Sequence, residues 1–89
     1  IIGNGTGIVV INSSLIINNT LSDNLQTGIF CSNGIISTTI MNNIISFNGS
    51  KGISVASPSV VTLNYNNVWN PGHTNYSGCS PGAWSPWPY

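Results

Sequence analysis

The chain has no glutamate and no arginine, and Asp23, Lys51 and His73 are its only side chains that titrate near or below neutrality or carry fixed charge. A soluble domain usually carries charge at roughly a quarter of its positions; here the charged share is 2% and the formal net charge is +0. Without a basic cluster nothing displaces counterions from a phosphate backbone, so no nucleic-acid partner is expected. The same lack argues against an anionic membrane surface. A two-carboxylate hydrolytic site needs a second acid that one subunit does not have, and Asp23 alone cannot hold Ca²⁺ strongly. His73 lies in the turn signal Asn70-Pro71-Gly72-His73, with no second His and no Cys at ligand spacing. The expectation is a non-enzymatic chain: no catalytic residue, no cofactor and no metal.

Other shortages bound the chain further. The longest apolar run, Ile8-Val9-Val10-Ile11, is far below the ~20 residues that span a bilayer, so no membrane insertion is expected. No Met opens the sequence and no charged segment precedes an apolar stretch, which fits either a removed leader or a fragment. Cys31 and Cys79 permit a disulfide without requiring one.

What the chain does have is 40% apolar residues, rich in Ile and Val, and a beat. Strand propensity suits that composition better than helix propensity. Asn18-Asn19, Asn42-Asn43 and Asn66-Asn67 recur at a 24-residue spacing, and a fixed period in this range marks a solenoid. Upstream of each pair stands a second recurring element: Gly7-Ile8-Val9-Val10, Gly28-Ile29-Phe30-Cys31 and Gly52-Ile53-Ser54-Val55. The Gly-to-Asn spacing is three residues shorter in the first unit than in the other two, so one of its loops is shorter while its strands stay in register.

Period-two alternation predicts an inward face that stacks like on like. The columns are Ile8/Ile29/Ile53, Val10/Cys31/Val55, Asn19/Asn43/Asn67 and Leu21/Ile45/Trp69. A buried amide is costly unless its carbonyl and NH₂ are both bonded, and identical stacked Asn side chains can satisfy one another. The alternative is that the Asn pairs mark exposed turns. The predicted fold is all-β: a right-handed parallel β-helix of about three coils over residues 1–78 (about 1–24, 25–48 and 49–72, plus a closing segment), with an irregular aromatic and Pro-rich tail over 79–89.

Thr39-Ile40-Met41-Asn42-Asn43-Ile44-Ile45 and Thr62-Leu63-Asn64-Tyr65-Asn66-Asn67-Val68-Trp69 resemble the parallel β-helix repeats of the pectin-lyase-like superfamily, more narrowly its carbohydrate-binding and sugar-hydrolase type repeats. The resemblance covers roughly Gly7 to Gly78 and implies the fold more than any activity, since such repeats serve enzymes, adhesins and surface proteins alike. The clustered Asp residues with Arg, Lys or His on which the enzymes of that superfamily rely have no counterpart here. Nor does the acidic, apolar ending that usually follows the last coil; Trp84-Ser85-Pro86-Trp87-Pro88-Tyr89 takes its place.

Two surface features remain. Asn4, Asn12, Asn18, Asn48 and Asn75 each open an N-x-[ST] acceptor, and glycans there would solubilise an extracellular surface that has almost no charge. Asn12 and Asn48 are the better candidates, because Asn18 adjoins the inward column. Tyr76, Trp84, Trp87 and Tyr89 suit either a sugar-binding platform or a lid over the open end of the stack. The functional expectation is a secreted or cell-surface structural solenoid whose uncharged strand edges invite further coils or copies of itself, head to tail. The alternative is a carbohydrate-binding module, or a non-catalytic fragment of a polysaccharide-degrading β-helix, with polysaccharide as the partner.

Overall fold

The structure is a computed structural model, described here for residues 1–34, 37–56 and 60–86. Its ten strands are β1 (Ile8–Val10), β2 (Ser14–Ile17), β3 (Thr20–Ser22), β4 (Thr27–Cys31), β5 (Thr38–Met41), β6 (Ile44–Ser46), β7 (Lys51–Val55), β8 (Val61–Asn64), β9 (Asn67–Trp69) and β10 (Thr74–Ser77). They form three parallel sheets, ordered β1-β4-β7-β10, β2-β5-β8 and β3-β6-β9. Each circuit of the chain contributes one strand to each sheet in turn. A chain rich in β-branched residues and broken by Asn and Gly at short intervals favours this, because each coil pairs with an equivalent coil instead of folding back into a hairpin.

Register follows the expected apolar columns closely. Ile8 pairs with Ile29 and Ile29 with Ile53, and Val10, Cys31 and Val55 align beside them. Ile29, Cys31, Ile45 and Ile53 are fully buried. The first circuit is short between β1 and β2, where residues 11–13 replace the longer connection 32–37. A further difference lies between β7 and β8: Thr38 pairs with Val61, 23 residues on, whereas Ser14 pairs with Thr38, 24 residues on. That single residue shifts the rest of the third coil. Val68, not Trp69, stands above Leu21 and Ile45; Trp69 pairs with Ser46 and is 41% exposed.

Beyond Gly78 the coil does not end. Asn64 pairs in parallel with Ala83, and Tyr65 donates its N–H to the Ala83 carbonyl at 2.7 Å. The segment expected to be an irregular tail therefore begins as part of a fourth coil on the edge of β8. At the opposite end Ile2 pairs with Ser22, and the Ile1 ammonium donates to the Thr20 carbonyl at 2.8 Å, so the first residues lie along the edge of β3.

The recurring glycine just before β1 (Gly7) and within β4 and β7 (Gly28 and Gly52) has a packing cause. A Cβ on Gly28 would stand 2.6 Å from Ile45 Cγ2 and 2.7 Å from the Gly52 carbonyl oxygen. The interior is already filled at that height. Gly28→Ala is accordingly expected to cost about 1–3 kcal/mol through overpacking, read as a lower midpoint in urea unfolding; an unchanged midpoint would show that the interior yields there.

Candidate functional site

Among the described residues no cluster gathers acid, base and nucleophile; their organised polar chemistry is two columns of asparagine inside the corners. Along the first, Asn19 donates from its backbone N–H and its Nδ2 to Asn43 Oδ1 at 2.9 and 3.2 Å. Asn43 repeats this on Asn66 Oδ1 at 3.1 and 3.0 Å. Asn43 Nδ2 also lies 2.9 Å from the Ile16 carbonyl and 3.1 Å from that of Met41, and Asn66 Nδ2 donates to the Ile40 carbonyl at 2.9 Å. Both amides are thereby satisfied at 1% and 0% exposure, as burial requires.

The third rung is Asn66, which corrects the expectation of Asn67. The residue before each rung holds the left-handed conformation that turns the corner: Asn18 (φ 60°), Asn42 (φ 56°) and Tyr65 (φ 59°). Asn suits that role because it tolerates left-handed φ at low cost. In the first two coils the Asn pair is therefore corner plus rung. In the third, Tyr65 takes the corner, Asn66 the rung, and Asn67 begins β9 opposite Ile44 with its side chain exposed. Extending the Asn64–Ala83 pairing puts Trp84 (φ 59°) at the corner and Ser85 at the rung of the fourth coil.

A second ladder fills the corner between the third and first sheets, its Asn24 and Asn48 rungs on the 24-residue beat and its Asn70 rung off it. Asn24 Oδ1 accepts from the Asn4 N–H at 3.1 Å, and Asn48 Oδ1 accepts from the Asn24 N–H and Nδ2 at 3.1 and 2.9 Å. Asn70 Oδ1 accepts from the Asn48 N–H at 2.6 Å, and Asn75 Oδ1 from the Asn70 N–H at 2.7 Å. Asp23 (φ 55°) and Phe47 (φ 54°) are its left-handed corner residues. The rungs from Asn48 to Asn70 are only 22 residues apart, and Asn48 Nδ2 is buried without a hydrogen-bond partner among the described residues. The 24-residue step from Asn24 to Asn48 was the sequence signal for this column, and the 22-residue step to Asn70 hides its continuation.

These ladders revise the surface expectations. Asn48 and Asn75, at 1% and 7% exposure, are buried rungs, so their amides are not presented for a glycan in the folded chain. Asn4, Asn12 and Asn18 are exposed. Tyr76 is no sugar platform: it pairs above Ile53, is 2% exposed, and closes the core with its hydroxyl 2.7 Å from Ser85 Oγ. Trp84 is 79% exposed, while Trp87 and Tyr89 lie outside the described residues. His73 is exposed, its N–H donating to the Asn70 carbonyl at 3.0 Å as a turn demands.

Three sheets wound from successive parallel strands, with polar ladders threading two of the corners, define a parallel β-solenoid. The family described as the right handed beta helix region matches residues 1–83, and the chain belongs to it. Its match ends at the residue that bridges Asn64. Comparison with curated proteins and with solved structures found no match.

Both cysteines are free thiols. Burial, with a smaller contribution from Cys79, raises Cys31 from 9.0 to about 11; burial likewise raises Cys79 to about 11, against the lowering effect of its contact with the Ser77 carbonyl. Two predictions follow from these interior groups. Asn43→Ala should cost about 1–3 kcal/mol by orphaning the Asn19 and Asn66 groups, whereas exposed Asn67→Ala should cost under about 1 kcal/mol; equal costs in chemical unfolding would refute the assignment of rungs. The folded thiols keep their protons to higher pH than unfolded ones, so the stability they confer is complete below pH 9 and lost as pH rises to about 11. Unfolding midpoints measured across that window should fall, and fall less in Cys31→Val, which matches Val10 and Val55 in the same column.

Proposed function

We propose that the chain is a secreted or cell-surface structural solenoid, without catalytic activity or a cofactor of its own, whose coil stack is extended end to end by further coils, here copies of itself. The observation that carries this reading is the shape of the two ends. At one, β1 and β2 are the last strands of the first and second sheets among the described residues; at the other, β10 ends the first sheet and the segment at Ala83 lies beyond β8 in the second. The two sets are complementary sheet by sheet. A second copy set with its β1 on β10 and its β2 beside the segment at Ala83 would continue the backbone ladders of the first and second sheets in one head-to-tail contact.

Size and charge support the same reading. Extents of 29 × 26 × 21 Å make the ends a large share of the surface, and natural edges are usually blunted by charge. With Asp23 and Lys51 as the only fixed charges, repulsion between ends is minimal. Glycans on Asn12 and Asn18 would lie on the lateral surface beside the first and second corners, clear of the stacking faces. Of the aromatics named for the carbohydrate-binding alternative, Tyr76 belongs to the core and Trp84 is exposed.

Sedimentation velocity over a concentration series, with negative-stain microscopy, tests the proposal. Oligomers that grow with concentration and are insensitive to salt are expected, and Val9→Lys with Leu15→Lys, which put charge on the exposed faces of β1 and β2, should shift them toward monomer. A monomer at every concentration would overturn it.

A further inference from the structure

The chain contains three Asn-Gly bonds, Asn4-Gly5, Asn33-Gly34 and Asn48-Gly49. At such a bond the carboxamide carbon of Asn lies within reach of the next backbone nitrogen, and Gly, having no Cβ, leaves that nitrogen open to approach. The fold places the three in different surroundings.

Asn48-Gly49 is locked in the second ladder. Asn48 is buried, its Oδ1 accepts from the Asn24 N–H and Nδ2 at 3.1 and 2.9 Å, and the Gly49 N–H donates to the Asn24 carbonyl at 2.9 Å. The Leu25 carbonyl fills the space where a Gly49 Cβ would stand. Asn4-Gly5 is exposed but tethered. Asn4 donates from its N–H to Asn24 Oδ1 at 3.1 Å and from its Nδ2 to the Ile2 carbonyl at 3.2 Å, while the carbonyls of Asn4 and Gly5 accept from the Leu25 and Gln26 N–H groups at 2.7 and 2.8 Å. Asn33-Gly34 lies in an exposed turn between β4 and β5. Gly34 holds φ 82°, nothing stands within 4 Å of where its Cβ would be, and its N–H donates to no described residue.

We infer that Asn33 is a site of spontaneous modification by the Gly34 nitrogen, with water as the only other reactant, and that the fold withholds the same chemistry from Asn48. The Gly34 nitrogen, on losing its proton, attacks Asn33 Cγ; the N–Cγ bond forms, the Cγ–Nδ2 bond breaks, and Nδ2 departs as ammonia. Water then opens the five-membered imide at either carbonyl, leaving an aspartate or its β-linked isomer at position 33. A chain with one acidic residue thereby gains a second carboxylate, on a connection outside both asparagine ladders. At position 48 the same ring requires Asn48 to leave its ladder and the Gly49 bond to break, so the reaction waits on local opening of the coil.

Peptide mapping by mass spectrometry of the full chain, incubated at neutral and mildly alkaline pH, tests this inference independently of stacking. Position 33 should convert at least about tenfold faster than position 48, with position 4 between them, because an exposed turn opens at almost no cost and a buried rung opens only with its coil. The rate at position 33 should rise with pH, since the attacking nitrogen must lose a proton. Asn33→Gln, whose ring would be one atom larger, should abolish it, with thermal melts reporting that the variant is folded. In unfolding concentrations of urea the three positions should converge. No conversion at Asn33, conversion of Asn48 as fast as Asn33 or of Asn4 ahead of it in the folded chain, or an order of rates that persists in urea would each overturn the inference.

Discussion

Every other feature of this molecule depends on how the inward polar groups at two corners are satisfied. A parallel coil must turn sharply between sheets, and a sharp turn withdraws backbone N–H groups from the ladders on either side. Here the Oδ1 of an Asn in the next coil accepts that N–H, as Asn43 does for Asn19 and Asn48 for Asn24. The bond is made between coils, not within one. No coil is complete alone, and stability accrues by stacking, as in other repeat architectures.

This explains why so little charge is needed. The side chains that specify register are amides, which hydrogen-bond in both directions without the desolvation cost of an ion. Apolar columns such as Ile8/Ile29/Ile53 fill the space between the ladders, and Tyr76 closes them at one end, its ring in the core and its hydroxyl on Ser85. The glycines at Gly7, Gly28 and Gly52 leave room for the Asn24 and Asn48 side chains and for the next backbone.

Much of the architecture was legible because apolar columns and corner residues repeat at nearly constant spacing. Ile29, Ile53, Cys31 and Val55 read correctly because strands keep register when a loop changes length. The reading failed where identity and geometry part. Asn66-Asn67 has the spelling of the two earlier pairs, but the connection before β8 is one residue shorter, so the corner falls on Tyr65 and the rung on Asn66. Trp69 was displaced from the core for the same reason. The fourth corner was hidden altogether, since Trp84-Ser85 shares geometry but no residue type with Asn18-Asn19.

Nearly all the length variation between coils falls at one place, the connection from the first sheet to the second, at residues 11–13, 32–37 and 56–60. The ladders occupy the other two corners and tolerate little change. The molecule therefore separates a seam that absorbs insertions from two seams that measure out the coil, and foreign peptide segments could be grafted along the permissive seam, one per turn, spaced by the ~4.8 Å rise of the stack.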